Sequence, residues 1–217
     1  MVMNERSVGV SELHTSTKEL IKSIFPQKDE CIYTKCYCEE NVWMLCNHVL
    51  KNHKNLLQQF YVIFVSNENK AVPLWAQKSR TDITKPVIWD YHALLLFVEG
   101  SEYEGEHAYI LDLDSVLPFP TKLSIYCQEA FRPDILLKTE FKQYLKLIPA
   151  DTYLKTFSSD RSHMKKAEGD WFFPPPSYEC IFTEQSTMNL NEFMDMSQSL
   201  YGTVYSVKDF MKAFNII

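Results

Sequence analysis

Between residues 60 and 116 the chain carries four strand-like runs, Phe60 to Ser66, Val72 to Gln77, Val87 to Glu99 and Ala108 to Val116. They are parted by turn-like segments such as Asn67-Glu68-Asn69-Lys70. Short connections suit antiparallel neighbours, so the pattern predicts an antiparallel sheet. Ahead of it, Val42, Cys46 and Val49 fall on one face with Trp43 and Leu50 beside them, the three-to-four spacing of a buried helical stripe. Glu39 and Glu40 occupy the first turn, where carboxylates suit the positive end of the helix dipole. A helix is therefore predicted from Cys38 to about His53. After Leu117-Pro118-Phe119-Pro120 the pattern is mixed, with short helices expected near 124–131 and 139–146, an irregular stretch around Pro174-Pro175-Pro176, and a last helix from Lys208 to Phe214. Helices and strands in this arrangement predict an α+β fold.

At 217 residues the expectation is one domain, about 150 residues being a common domain size. Residues 1–28 are polar apart from the stretch Glu19 to Phe25, which Pro26 ends, and are expected to form a loosely attached extension to a single catalytic domain over 29–217. A 46% share of hydrophobic residues and a 14% share of aromatics argue for a folded globule and against general disorder.

Several function classes are excluded at this level. A net charge of −6 has the wrong sign for a chain held by nucleic-acid phosphates. The five glycines, at 9, 100, 105, 169 and 202, are too scattered to write a Walker loop, a Gly-x-Gly-x-x-Gly turn or a Gly-x-Ser-x-Gly nucleophile elbow. No histidine is followed by Glu, so a His-Glu-x-x-His zinc helix is absent. The longest apolar runs, Phe60 to Val65 and Ala93 to Val98, fall far short of the roughly 20 residues that span a bilayer. Met1 to Leu20 lacks an apolar stretch and does not read as a secretory signal. With no Asn-x-Ser/Thr sequon and cysteines at 31, 36, 38, 46, 127 and 180, the expected setting is the cytoplasm and nucleus, where thiols are free, metal-bound or catalytic rather than paired.

Four of those cysteines cluster, and one is distinguished by position. Cys38 stands at the predicted helix start, where unpaired backbone N–H groups and the dipole favour a thiolate. Cys46 falls on the buried face and reads as a small core residue. If the strands over 87–99 and 108–116 pair about a loop centred near residue 102, His92 lies opposite Asp112 on one sheet face. A slip of one residue would separate them. Such a carboxylate fixes the imidazole tautomer and supports an imidazolium beside a thiolate. Cys38, His92 and Asp112 then compose a triad of the chain order found in papain-like and transglutaminase-like enzymes. The alternative is that Asp112 caps a turn and His92 is a satisfied sheet histidine.

Five blocks carry a more specific signal. Tyr37-Cys38-Glu39-Glu40-Asn41, Val87-Ile88-Trp89-Asp90-Tyr91-His92, Asp112-Leu113-Asp114-Ser115-Val116-Leu117-Pro118-Phe119-Pro120, Ser159-Asp160-Arg161-Ser162-His163-Met164 and Met188-Asn189-Leu190-Asn191 closely resemble, in this order, the eukaryotic N-terminal glutamine amidohydrolases. The likeness runs from about Cys31 to Phe214; Ala93 replaces the Val that usually follows the Trp-Asp-Tyr-His block. The resemblance implies a monomeric enzyme of transglutaminase-like or papain-like fold, with nucleophile Cys38, base Cys-activating His92 and orienting carboxylate Asp112. It implies that the side-chain amide of a protein's or peptide's N-terminal Gln is hydrolysed to Glu through a cysteine thioester. Ammonia is released, no metal or organic cofactor takes part, and the product feeds the arginine branch of the N-degron pathway.

Selection of a terminal glutamine needs a reader for the free α-ammonium. Glu39, Glu40, Asp90 and Asp114 are candidates, and the sequence does not choose among them. Trp89 and Tyr91 are expected on the face opposite Asp90 and His92, as core residues, with Trp89 a candidate wall of the pocket; His163 is a candidate rival base whose turn-rich context favours a local hydrogen-bonding role, and Pro174-Pro175-Pro176 reads as a rigid connector rather than a polyproline ligand for another protein. Two other functions stay open. One is a zinc-stabilised interaction module using Cys31, Cys36, Cys38 and Cys46 with His48 or His53. The other is a triad peptidase or transglutaminase, since an amine can resolve the same thioester.

Overall fold

The computed structural model describes residues 16–82, 84–100 and 105–217. In chain order the elements are helix α1 (Thr17–Ile24), helix α2 (Cys38–Asn52), strands β1 (Phe60–Ser66), β2 (Val72–Leu74), β3 (Val87–Trp89), β4 (His92–Val98), β5 (Ala108–Leu111) and β6 (Thr121–Lys122), helix α3 (Leu123–Tyr126), strand β7 (Tyr144–Pro149), helix α4 (Ala150–Thr156), helix α5 (Leu190–Met194), strand β8 (Thr203–Ser206) and helix α6 (Val207–Ala213). Six strands form one antiparallel sheet in the order β6-β5-β4-β1-β7-β8, and β2 and β3 form a separate ribbon. The chain is thus α+β with an antiparallel sheet, as its pattern predicts.

The sheet is buried on both faces, which is why β1 and β4 read as unbroken apolar runs rather than alternating ones. Phe60, Val62 and Phe64 of β1 join Ala93, Leu95 and Phe97 of β4 against Val42, Leu45, Cys46 and Val49 of α2. On the other face Ile63, Val65, Leu94 and Leu96 pack against Tyr126, Phe131 and Phe210. Helix α2 lies within a residue of its predicted span and buries the predicted stripe.

Residues 16–28 depart from the expected appendage. Ser16 caps α1 by accepting from the Glu19 N–H, and Ile21, Ile24 and Phe25 are buried in the core beside α2. The spacing of those three apolar residues over one helical turn supplies a face that docks. Residues 1–15 lie outside the described part.

Other expected elements shift or change type. The run 87–99 is cut at Asp90–Tyr91, so β3 leaves the main sheet. The run 108–116 is strand only as far as Leu111 and that over 72–77 only as far as Leu74, beyond which Gln77 and Ser115 meet in an isolated antiparallel bridge. The helix expected near 139–146 is a 3-10 turn, Thr139–Phe141, followed by β7 between β1 and β8. Lys146 masks this strand in the sequence: its side chain is taken into the fold, where Nζ donates to the Glu192 carbonyl at 2.8 Å. The helix expected over 124–131 is split into α3 and a π-helical turn, Cys127–Phe131.

Candidate active site

Cys38 is held where α2 begins. The preceding turn is fixed by Asn41, whose amide accepts from the Thr34 N–H (2.8 Å) and donates to the Thr34 carbonyl (2.9 Å). Cys36 takes a left-handed conformation (φ 67°) that swings the chain into the helix. No side chain caps α2, so the N–H groups of its first turn are not spent on a cap.

The β4–β5 ladder runs Leu95↔Leu111, Leu96↔Ile110, Phe97↔Tyr109 and Val98↔Ala108, two residues away from a hairpin symmetric about residue 102. Continued, it sets position 114 rather than 112 across from His92. An even slip preserves the face, so His92 and Asp112 still meet: Nε2 lies 3.0 Å from Asp112 Oδ1. Asp112 also accepts from the Asp114 N–H at Oδ1 (2.8 Å) and from Tyr126 Oη (2.7 Å) and Gln77 Nε2 (3.4 Å) at Oδ2. Burial alone would raise the Asp112 pKa, but the His92 charge and these donors hold it well below the usual carboxylate range. Burial likewise opposes charge on His92, and the Asp112 carboxylate with its hydrogen bond outweighs it, raising the imidazole pKa above 6.5.

The other ring nitrogen, His92 Nδ1, is buried with no hydrogen-bond partner among the described residues. The adjacent Ala93 N–H faces the Cys38 sulfur. Cys38 and His92 are not hydrogen-bonded to each other; the thiol donates instead to Glu39 Oε2 at 3.6 Å. Burial, then the Glu39 and Asp114 carboxylates, push the thiol well above its ordinary pKa, against the Ala93 N–H. The lowering expected from the helix start is thus overridden by desolvation, and the resting sulfur is a thiol.

The sulfur opens on a cleft of about 470 Å³ whose wall includes Trp89, Asp114, His163, Phe172 and Phe173. Trp89 stacks on His92, with ring centroids 5.3 Å apart and planes 17° apart. This corrects the expected opposite faces, because the bend at Asp90–Tyr91 breaks the alternation. Tyr91 also borders the cleft, and its hydroxyl donates at 2.8 Å to Glu39 Oε2, the oxygen to which the Cys38 thiol donates. His163 does not hydrogen-bond locally: its Nε2 stands 3.4 Å from Glu39 Oε1, and neither ring nitrogen has a hydrogen-bond partner among the described residues. Arg161 makes a bidentate pair with Glu40, at 2.9 and 2.8 Å, and its remaining donors reach the carbonyls of Pro176, Tyr178 and Glu179. That clamp ties the segment after Phe172 and Phe173 to the helix that carries Cys38.

The cysteines offer no metal site of the kind weighed from their spacing. Cys46 is sealed in the core, and among the described residues the metal-ligand types that converge are His92, Asp112 and Asp114, whose donor atoms lie within 4.8 Å of one another. Asp112 is there saturated by hydrogen-bond donors. Gln77, Asp114 and Tyr126 are parts of the site that the triad argument did not assign. Tyr126 and Gln77 lie on elements with no spacing relation to His92, whereas Asp114 was already among the candidate ammonium readers through its nearness to Asp112 in sequence, without a place beside the imidazole.

Comparison with known proteins agrees with this geometry. The model of the family described as N-terminal glutamine amidase matches residues 33–214. The chain belongs to the N-terminal glutamine amidase family. It is 48% identical over 197 residues to the protein N-terminal glutamine amidohydrolase of Danio rerio, covering 90% of this chain and 95% of that one. The proteins of the same name from Bos taurus and Homo sapiens are 45% and 44% identical, each across 90% of its own length and 88% and 87% of this chain. The family match thus spans α2 and the whole sheet, and with them all of the site residues above.

Proposed function

We propose that this protein hydrolyses the side-chain amide of an N-terminal glutamine, in proteins and peptides, to glutamate and ammonia, with Cys38 as nucleophile, His92 as base and acid, and Asp112 as the orienting carboxylate. The observation that carries the assignment is the buried His92–Asp112 hydrogen bond with the opposite ring nitrogen left unpartnered, one residue from the N–H that faces the Cys38 sulfur. Membership of the amidase family supplies the substrate. A cysteine at a helix start, packed on an antiparallel sheet whose adjacent strands bring in histidine and aspartate, supports a transglutaminase-like or papain-like fold.

His92 Nδ1 takes the thiol proton as sulfur attacks the amide carbon, and the Asp112 carboxylate stabilises the imidazolium formed. The oxyanion is received by backbone N–H groups at the uncapped start of α2, where the dipole adds to the effect. The imidazolium then protonates the leaving nitrogen, the C–N bond breaks and ammonia departs, leaving a thioester. Water enters, His92 removes its proton, and collapse of the second tetrahedral adduct returns the thiol and glutamate. The scheme draws on no metal or organic cofactor. The chain acts as a monomer in the cytoplasm and nucleus, and its acidic product enters the arginine branch of the N-degron pathway; the family resemblance supports this setting.

The test is a Gln-initiated peptide beside its N-acetylated twin and an Asn-initiated peptide, with ammonia and peptide mass followed together. Conversion of the free Gln peptide alone is expected. Silence on all three by folded protein refutes the reading, and cleavage of a peptide bond or capture of an added amine in place of water turns it into a peptidase or transglutaminase.

A further inference from the structure

An enzyme that takes only a terminal glutamine must contact the one feature an internal glutamine lacks, its α-ammonium. Four covalent bonds separate that nitrogen from the reacting amide carbon, about 5 Å when extended, so the reader must stand close to the sulfur and imidazole, on the wall of the same cleft. Five carboxylates surround the site. Glu40 is consumed by the bidentate pair with Arg161. Asp112 is consumed by His92, Tyr126, Gln77 and a backbone N–H. Glu39 is fully buried beneath the cleft and does not line it. Asp90 lines the cleft but is exposed, with Oδ1 accepting the Tyr91 N–H.

Asp114 differs from all four. It lines the cleft, yet only 8% of the residue is exposed, so a contact there is made in a low-dielectric wall. Tyr33 Oη donates to Oδ1 at 2.6 Å and fixes the carboxylate, while Oδ2 has no hydrogen-bond partner among the described residues. No described cationic side chain makes an ion pair with it. It stands in the turn just after β5, with a carboxylate oxygen within 4.8 Å of a His92 ring nitrogen. A buried, pre-oriented carboxylate with one oxygen unfilled is complementary to an ammonium carrying three donors.

We propose that Asp114 is the specificity-determining group that binds the free α-ammonium of the substrate, held in place by Tyr33; this rests on the function proposed above. An acetylated or internal glutamine offers Asp114 a neutral amide in place of a cation and leaves its second oxygen without a charged partner in the wall, which is rejection as well as missing attraction.

The test is a cycle between enzyme and substrate. Wild type and Asp114→Asn are assayed on a Gln-initiated peptide and on the same peptide with hydrogen in place of the α-amine. If the desamino peptide turns over too slowly, its inhibition constant against the free peptide is read instead. Asparagine is expected to lower kcat/KM on the free peptide about 10- to 100-fold, chiefly through KM, and to cost the desamino peptide, which feels only the lost charge near the thiol and imidazole, at least about tenfold less. Equal losses on both peptides overturn the assignment, since Asp114 would then be acting through His92. Alkylation of Cys38 by iodoacetamide reports the sulfur and imidazole without any ammonium; Asp114 is one of the carboxylates that raise the thiol pKa, so its removal should leave that rate equal or faster, and a fall parallel to turnover overturns the proposal as well. Should Asp114→Asn fail to fold, Tyr33→Phe, at an exposed ring, is expected to give the same pattern at smaller size. Wild type inactive on both peptides removes the parent reading and this one with it.

Discussion

Arg161 joins the two halves of the site, and replacing it has a calculable cost. Its guanidinium forms two hydrogen bonds with Glu40 in a pair whose side chains are 6% and 0% exposed, and three further contacts reach backbone carbonyls at 3.0 to 3.2 Å. Arg161→Met strands the Glu40 carboxylate in the core, and an uncompensated buried charge of this kind costs about 3–5 kcal/mol. That is a large share of the about 5–15 kcal/mol by which a domain is stable. Urea unfolding, followed by tryptophan fluorescence, should show the loss as a lower midpoint at unchanged slope. The pair's net contribution is separate from the cost of breaking it. Glu40→Met combined with Arg161→Met removes the stranded charge and should recover at least about 2 kcal/mol of the loss, despite being the larger change. Because the clamp holds the carbonyls just after Phe172 and Phe173, KM should rise in both variants. A single-variant loss below about 1 kcal/mol, or a double variant no more stable than the single, would refute the reasoning.

Ile21→Ala should cost about 2–5 kcal/mol by the same assay, because α1 buries that side chain fully; a cost typical of a surface change would mean the segment does not dock. Tyr126→Phe removes a donor from buried Asp112 and should destabilise by about 1–3 kcal/mol while leaving the thermal transition cooperative. The His92 pKa is raised in the folded state, so its contribution to stability is complete below about 6.5 and is lost as pH rises through the folded value; that of Asp112 is depressed, so its contribution is present above about 3.9 and is lost as pH falls. The Tm gap between wild type and His92→Gln should therefore be widest between about pH 4 and 6.5. Since the resting sulfur is a thiol that needs neutral His92 as base, the acid limb of kcat/KM should lie above 6.5, and a limb at or below the free-imidazole value would contradict the electrostatics.

The helix at Cys38 and the strand at Phe60 were legible because their apolar spacing is strong and local. The His92–Asp112 pairing was legible for a weaker reason: the assumed register was off by two, and only an even slip preserves the face. Strand β7 was not legible, since a buried lysine satisfied by a distant carbonyl reads as a surface residue. Trp89 does wall the cleft, but its face was misplaced because a bend, which no periodicity announces, separates it from His92. The helix start indicated a reactive cysteine but not its burial, so the direction of the thiol pKa needed three dimensions. The Arg161–Glu40 clamp joins residues 121 apart and had no local signal at all.

The central claim is a covalent intermediate on Cys38, and intact-mass analysis of enzyme quenched in acid during turnover of a Gln-initiated peptide tests it most directly. The account predicts an adduct equal to the peptide less ammonia, confined to Cys38 and missing from Cys38→Ala, which should be folded and inactive. A peptide that gains its mass of about one dalton with Cys38→Ala as catalyst, at a rate near wild type, would contradict it.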